Sequence, residues 1–137
     1  MDYEIVRLNE KGKVFSTRQG TLIQCLTRNE LKNNDSFIDF GTIYGGNVRV
    51  NQVRGDHYHK NKEEYFTILQ GKVEVYLEDI ITKERLEGTV MVMGDRIKIG
   101  KNIAHAIMGI SVDPAIFFSY ATKPFEEDHD TYEYKVL

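Results

Sequence analysis

The chain has 137 residues, a length that suits one domain with its own core and is too short for two. Hydrophobic residues make up 41% and charged residues 28%, which is typical of a folded globular protein and argues against long disordered stretches. The 18 Lys and Arg residues are scattered among 21 Asp and Glu residues, and the formal net charge is -3, which argues against nucleic acid as a partner.

Cysteine usage and hydropathy indicate where the protein works. The only cysteine, Cys25, cannot form an internal disulfide, which favours a reducing compartment. No apolar run approaches the roughly 20 residues that a membrane-spanning helix needs, and the first residues are too charged for a signal peptide. We therefore predict a cytoplasmic protein with no membrane partner.

Short segments rich in β-branched and aromatic residues recur at even spacing, separated by Gly, Asn or Asp, and this pattern predicts an all-β fold. Glycine supplies the permissive backbone that tight turns need. We therefore predict turns at Gly45-Gly46, Gln70-Gly71 and Gly94-Asp95. The predicted strands are Thr21–Leu26, Ser36–Tyr44, Asn47–Val53, Tyr65–Leu69, Lys72–Asp79, Arg85–Met93, Arg96–Ile99, His105–Ile110 and Ala115–Ala121.

We predict a single domain over residues 1–137. Its N-terminal strands lie within residues 1–46, and its motif-bearing core spans about 47–121. The remaining segment, 122–137, is called the C-terminal strap; its acidic part carries little apolar alternation, which favours an irregular segment or a short helix.

The stretch that follows the third predicted strand holds the first chemically informative residues. His57 and His59 are two apart, so on an extended segment both imidazoles leave the same face. After a short turn, Glu64 begins the inward face of the next strand, followed by Phe66 and Ile68. The spacing predicts that two imidazoles and one carboxylate converge.

A third imidazole belongs to His105, which heads a later predicted strand whose residue Ile107 faces the same way. Three neutral imidazoles and a carboxylate suit one divalent transition metal, such as zinc, manganese, iron, cobalt, nickel or copper. The expected metal ligands are His57, His59, Glu64 and His105. The alternative is a metal-free site in which the same histidines act as acid, base or hydrogen-bonding groups.

These residues resemble the two motifs of the cupin superfamily, whose fold is the double-stranded β-helix or jelly-roll barrel. His57, His59, Glu64 and Gly71 fit the spacing of the first motif, and His105 fits the second. The segment 54–60 resembles nucleotide-sugar cupins: deoxythymidine-diphosphate 4-keto-6-deoxyhexose 3,5-epimerases, 3,4-ketoisomerases and the cupin domain of capsular polysaccharide reductase-epimerases. Residues 118–132 resemble the closing segment of the capsular cupins.

The resemblance implies an isomerase that epimerises a keto-sugar nucleotide or moves its ketone through an enolate. Removing the weakly acidic hydrogen beside a ketone needs a positioned base and a group that stabilises the developing oxyanion. With metal bound, the base would be Tyr44, Tyr65 or Lys60; without metal, it would be His57 or His59.

Arg54 is the expected phosphate-binding residue, because a guanidinium matches phosphate oxygens in a bidentate geometry. Two other readings stay open at this point: a metal-dependent cupin acting on another small molecule, as a dioxygenase or sugar-phosphate isomerase, and a non-catalytic ligand-binding cupin. Small cupins commonly pair through a sheet edge, so we expect a homodimer, with a polar hinge at 33–35.

Overall fold

The computed structural model describes residues 1–31, 41–123 and 129–137. Two short 3₁₀ helices, Leu8–Lys11 and Arg28–Leu31, accompany the strands, and neither they nor any other helix in these ranges could cross a membrane. The strands are β1 Tyr3–Arg7, β2 Val14–Thr17, β3 Gly20–Ile23, β4 Thr42–Val48, β5 Val53–Tyr58, β6 Glu64–Gln70, β7 Lys72–Asp79, β8 Arg85–Val92, β9 Asp95–Ile99, β10 Ile103–Gly109, β11 Ala115–Ala121 and β12 Tyr132–Glu133.

Two five-stranded antiparallel sheets carry the fold. The first sheet has the order β1-β9-β6-β11-β4 and the second has the order β12-β5-β10-β7-β8, while β2 and β3 form a separate hairpin. Nearly all of these neighbours are far apart in sequence, so each sheet interleaves strands from both halves of the chain. The predicted all-β architecture is confirmed.

The core forms where the inward faces of the two sheets meet. Strand β7 shows the expected alternation: Val73, Val75 and Leu77 are fully buried, whereas Lys72 and Glu74 face outward. The central strands β6 and β10 are buried along most of their length. Central strands are the most constrained part of a sheet, so side chains that they present to the interior are held firmly.

Two details of the central region differ from the sequence prediction. Gly45 and Gly46 do not form a turn; they lie inside β4, where Gly46 packs against the ring of Phe117 and leaves no room for a Cβ atom. No single strand covers 47–53 either. The chain turns after β4, with Asn51 at a φ of 62° and its N–H donated to the carbonyl of Gly109.

The ends of the chain also differ. Strands β1 and β2 were not predicted. In β1 the charged residues mask the alternation, yet this strand pairs with β9 and places Ile5 against the core. The C-terminal strap contains β12, an extended segment, rather than a helix in its described part. The predicted strand start at 36, the hinge at 33–35 and strap residues 124–128 lie outside the described residues.

A β-bulge at Gly55 and Asp56 gives β5 its path beside β10. His57 pairs with His105, but the next pair joins Gly55 to Ala106, so Asp56 is the extra residue. Gly55 has a φ of 107°, and a Cβ atom there would lie 2.5 Å from the backbone oxygen of His105. The bulge therefore requires glycine at this position and sets where His57 points.

We expect Gly55→Ala to lower the free energy of unfolding by at least about 2 kcal/mol, because the side chain is both conformationally strained and in collision with backbone. Gly45→Ala is the matched control: a Cβ atom there meets nothing within 4 Å, so stability should change by less than about 0.5 kcal/mol. Urea unfolding of the two variants tests this. Equal stability would contradict the bulge geometry.

Candidate active site

Four polar side chains meet at one end of the space between the sheets. His57 on β5 and His105 on β10 face each other across paired strands, with ring centroids 4.7 Å apart. His59 follows the end of β5, with its ring centroid 4.9 Å from that of His57, and Glu64 is the first residue of β6. One potential metal-ligating atom from each residue, a ring nitrogen or a carboxylate oxygen, lies within 4.8 Å of the other three. The residues His57, His59, Glu64 and His105 are called the His/Glu cluster below.

His59 and Glu64 form a buried pair. The Nδ1 atom of His59 lies 2.6 Å from the backbone carbonyl of Asp130, and its Nε2 atom contacts Oε1 of Glu64 directly. The Asp130 carbonyl can only accept, so Nδ1 of His59 donates to it. His59 and Glu64 are both less than one-tenth exposed, so their contact is shielded from water.

The pair lowers the pKa of Glu64. Burial alone would raise that pKa, but the hydrogen bond from His59 and the charges of the neighbouring imidazoles outweigh it and bring the pKa to about 2. Burial has the opposite effect on the other two imidazoles. It is the main cause that lowers the pKa of His57 to about 4, helped by repulsion from His105 and His59, and it also lowers the pKa of fully buried His105.

The His/Glu cluster forms one wall of a pocket of about 250 Å³ that opens between the sheets. The opposite wall carries Tyr44, Phe66 and Phe117, called the aromatic wall below; the rings of Phe66 and Phe117 are 5.6 Å apart. A pocket with one polar and one aromatic wall suits a small ring-shaped molecule with polar substituents. Its lining residues are Tyr44, Gly45, Gly46, Val48, Arg54, Gly55, His57, Glu64, Phe66, His105, Ile107, Phe117 and Ser119.

The structure brings some predicted site residues to this pocket and leaves others away from it. Arg54 is exposed and donates from Nε to the carbonyl of Asn47, and Tyr44 is 39% exposed; both line the pocket. Tyr65 lies on the other face of β6, near the guanidinium of Arg96. Lys60 is exposed, with its ammonium 4.3 Å from the ring centroid of Tyr132.

Sequence reasoning missed two residues of the site. Asp130 is almost fully buried: its carbonyl accepts from His59, and its carboxylate accepts the N–H groups of Lys60 and Asn61 at 2.9 and 2.7 Å. Ser119, on β11, is a buried residue of the aromatic side of the pocket. No spacing rule links Asp130 to His59, since they are 71 residues apart, and a serine in an apolar strand gives no signal of its own.

Comparison with known proteins places the chain in a family. A family model described as the polysaccharide biosynthesis C-terminal domain matches residues 18–132. The chain belongs to this family. No curated protein matches the chain in a sequence comparison. Membership agrees with the resemblance of residues 118–132 to capsular cupins.

Solved structures share the fold at low sequence identity. A 3,5-epimerase from Legionella pneumophila, determined with dTDP-4-keto-L-rhamnose, has 15% identity and a TM-score of 0.74, with 96% of this chain and 71% of that chain covered. A 3,4-ketoisomerase from Helicobacter canadensis has 22% identity and a TM-score of 0.70, with coverages of 96% and 90%. A capsular polysaccharide assembling protein from Staphylococcus aureus has 18% identity and a TM-score of 0.63, with coverages of 72% and 27%. The predicted cupin barrel and the predicted resemblance are confirmed.

The prediction of one divalent transition metal as cofactor is wrong. The 3,5-epimerases and ketoisomerases that share this fold work without a metal cofactor. In this chain Nε2 of His59 and Oε1 of Glu64 contact each other directly. The His/Glu cluster is therefore described below as a set of proton donors and acceptors.

We expect Asp130→Ala to lower the free energy of unfolding by about 1 kcal/mol, because two part-buried N–H groups lose their acceptor. Loss of the carboxylate should also loosen residues 60 and 61 beside His59, and ¹⁵N NMR of the two His59 nitrogens would detect the effect on the ring, whose carbonyl partner at residue 130 remains. Asp113→Ala, at an exposed loop position, is the matched control and should change neither quantity. An Asp130→Ala variant with an unchanged His59 spectrum would show that the Asp130 carboxylate does not position the ring.

Proposed function

We propose that this chain is an isomerase that acts on a nucleotide-linked 4-keto-6-deoxy sugar, by epimerisation or by ketone migration through an enolate. One observation carries the proposal: a neutral imidazole, His57, faces a small pocket beside the buried His59–Glu64 pair. Solved structures with this fold include a 3,5-epimerase in complex with a dTDP-keto-sugar and a 3,4-ketoisomerase.

His57 is the base in this proposal. A base must be unprotonated and within reach of the substrate, and the low pKa of His57 keeps its ring neutral at physiological pH. His59 is not assigned this role, because its Nδ1 atom is occupied by the Asp130 carbonyl and its Nε2 atom is in contact with Glu64. Glu64 is engaged by His59. The buried contact between His59 and Glu64 instead holds the polar wall in place beside the reacting carbon.

His57 also has a route for its proton. Besides the pocket, it borders a wider depression of about 520 Å³ on the outer side of β5, lined in part by Thr131, Glu133 and Lys135 of the C-terminal strap. A base that reaches solvent on one side can exchange its proton with water between turnovers. This arrangement supports exchange of the substrate hydrogen with solvent.

Arg54 is the proposed phosphate-binding residue. It lies at the exposed rim of the pocket, and its Nε atom is tied to the carbonyl of Asn47 at 2.8 Å. That bond fixes the plane of the guanidinium, and a planar guanidinium binds phosphate oxygens through two parallel hydrogen bonds. The sugar would then reach the His/Glu cluster while the nucleotide stays near the rim.

We propose a homodimer as well. The hairpin β2–β3 belongs to neither large sheet, and its paired residues Phe15 and Leu22 are 52% and 74% exposed. A two-stranded hairpin is marginally stable by itself in water, so a second copy that covers this pair would stabilise it. The cytoplasmic location stays a prediction.

The proposal predicts exchange of a substrate α-hydrogen for deuterium when dTDP-4-keto-6-deoxyglucose is incubated with the protein in D₂O and followed by ¹H NMR. His57→Asn should reduce the exchange rate by about 10² to 10⁴-fold, because the general base is removed. His129→Ala is the matched control, since His129 is exposed in the strap and should leave the rate unchanged. An inverted carbon in the product indicates epimerisation, and a displaced carbonyl indicates ketone migration. Absence of exchange with the wild type would refute the proposal.

The pH dependence follows from the pKa of His57. Its neutral form is the active one, and its pKa lies below the ordinary value of 6.5, at about 4. Activity should therefore persist as pH falls from 7 to 5 and decline as His57 is protonated near pH 4. Initial rates after brief exposure to each pH test this, with circular dichroism to confirm that the chain stays folded. An acid limb at pH 6.5 would argue against His57 as the base.

A further inference from the structure

Three buried polar atoms that line the pocket have no hydrogen-bond partner among residues 1–31, 41–123 and 129–137: Oγ of Ser119, Nε2 of His105 and Oε1 of Glu64. Ser119 and His105 are each 1% exposed. Buried polar atoms in proteins are nearly always satisfied, so a buried orphan that borders a pocket marks a place where a ligand supplies the missing partner.

Ser119 is a hydroxyl set among the rings of the aromatic wall. On β11 it pairs with Phe66 of β6 on one side and with Tyr44 of β4 on the other. Directly paired residues face the same side of a sheet, so the hydroxyl stands between two rings. Phe117, two residues earlier on β11, faces the same side. The Ser119 hydroxyl is thus free to donate a hydrogen bond into the pocket from an apolar surface.

His105 offers the complementary group on the polar wall. Its Nδ1 atom lies 3.3 Å from the carbonyl of Ile103, which can only accept, so the ring hydrogen is on Nδ1 and Nε2 carries a lone pair. Oε1 of Glu64, another acceptor, is 3.5 Å from Nε2. Two acceptors at this distance repel each other unless a donor lies near both, and the hydrogen of a substrate hydroxyl would fill that role.

We propose that Ser119 donates a hydrogen bond to the ketone oxygen of the substrate, while Nε2 of His105 accepts one from the hydroxyl on the adjacent carbon. The pocket thereby selects an α-hydroxy ketone, and Ser119 is a catalytic residue that stabilises the enolate. This inference rests on the proposed function. Phe66 borders both groups, since its ring centroid is 6.1 Å from that of His105 and it pairs with Ser119.

The reaction step is balanced without an oxidant. His57 takes the proton from the carbon beside the ketone, the C–H electron pair becomes a carbon–carbon double bond, and the carbonyl electrons move to oxygen. The Ser119 hydroxyl stabilises that oxyanion where it develops. Return of a proton to carbon restores the ketone and releases the product.

Ser119→Ala separates this role from a structural one. Loss of one oxyanion donor should lower kcat by about 10² to 10³-fold with a much smaller change in KM. Because the hydroxyl has no partner in the described part of the chain, its removal should leave the melting temperature unchanged or raise it, whereas a structural role would lower it. Ser119→Cys, with a weaker donor of similar size, should give an intermediate kcat, and exposed Ser16→Ala should behave as the wild type.

Binding gives a second measurement that does not depend on turnover. In a His57→Asn background, which leaves the sugar unreacted, calorimetry would compare dTDP-4-keto-6-deoxyglucose with dTDP alone. Adding Ser119→Ala should weaken binding of the keto-sugar nucleotide by about five- to tenfold, which is the effect of one hydrogen bond. The affinity for dTDP should not change.

The outcomes distinguish the inference from the function beneath it. In one outcome, the wild type exchanges the substrate hydrogen while Ser119→Ala shows the same exchange rate and the same affinity for the keto-sugar nucleotide. That result overturns the role of Ser119 and leaves the isomerase proposal intact. A wild type that neither exchanges hydrogen nor prefers the keto-sugar nucleotide over dTDP overturns both.

Discussion

The buried pair of His59 and Glu64 is the contact on which the site depends. Glu64 starts β6 in one sheet, and His59 follows β5 in the other, so the pair joins the two sheets at the open end of the barrel. Removing one partner of a buried ion pair leaves the other charge without compensation, which is strongly unfavourable. A second contact, from His59 to the carbonyl of Asp130, joins the C-terminal strap to the same place.

The two sheets contribute different chemistry to the pocket. The second sheet supplies His57 and His105, whose rings are kept neutral by burial, whereas the first sheet supplies Phe66, Phe117 and Ser119. Each wall rests on central strands that are packed on both sides. The pocket therefore belongs to the rigid part of the fold, whereas its rim at Arg54 is exposed to solvent.

Short-range patterns in the sequence were enough to predict the all-β fold and the His/Glu cluster, and the resemblance to cupins implied the barrel. The two-residue period placed His57 and His59 together, and the alternation along β6 put Glu64 and Phe66 on the inner face. The same alternation excludes Tyr65 from the pocket, a consequence that its position next to Glu64 obscured.

Other features depend on tertiary contacts that no local pattern reports. Gly45 and Gly46 have the composition of a turn, yet the ring of Phe117 needs the space that Gly46 leaves within β4. Asp130 acts through a backbone carbonyl, for which any residue type would serve. The metal prediction failed because ligand spacing alone cannot distinguish residues that share a metal from residues that share a proton.

The strap contact also bears on the order in which the molecule assembles. Asp130 follows every strand of the two large sheets except β12, so it is synthesised when both sheets are nearly complete. The sheets can pair before residue 130 is in place, but the His59 ring gains its carbonyl partner only afterwards. During synthesis on the ribosome, a chain with a nearly finished barrel would still lack a fixed His59 ring until this segment emerges.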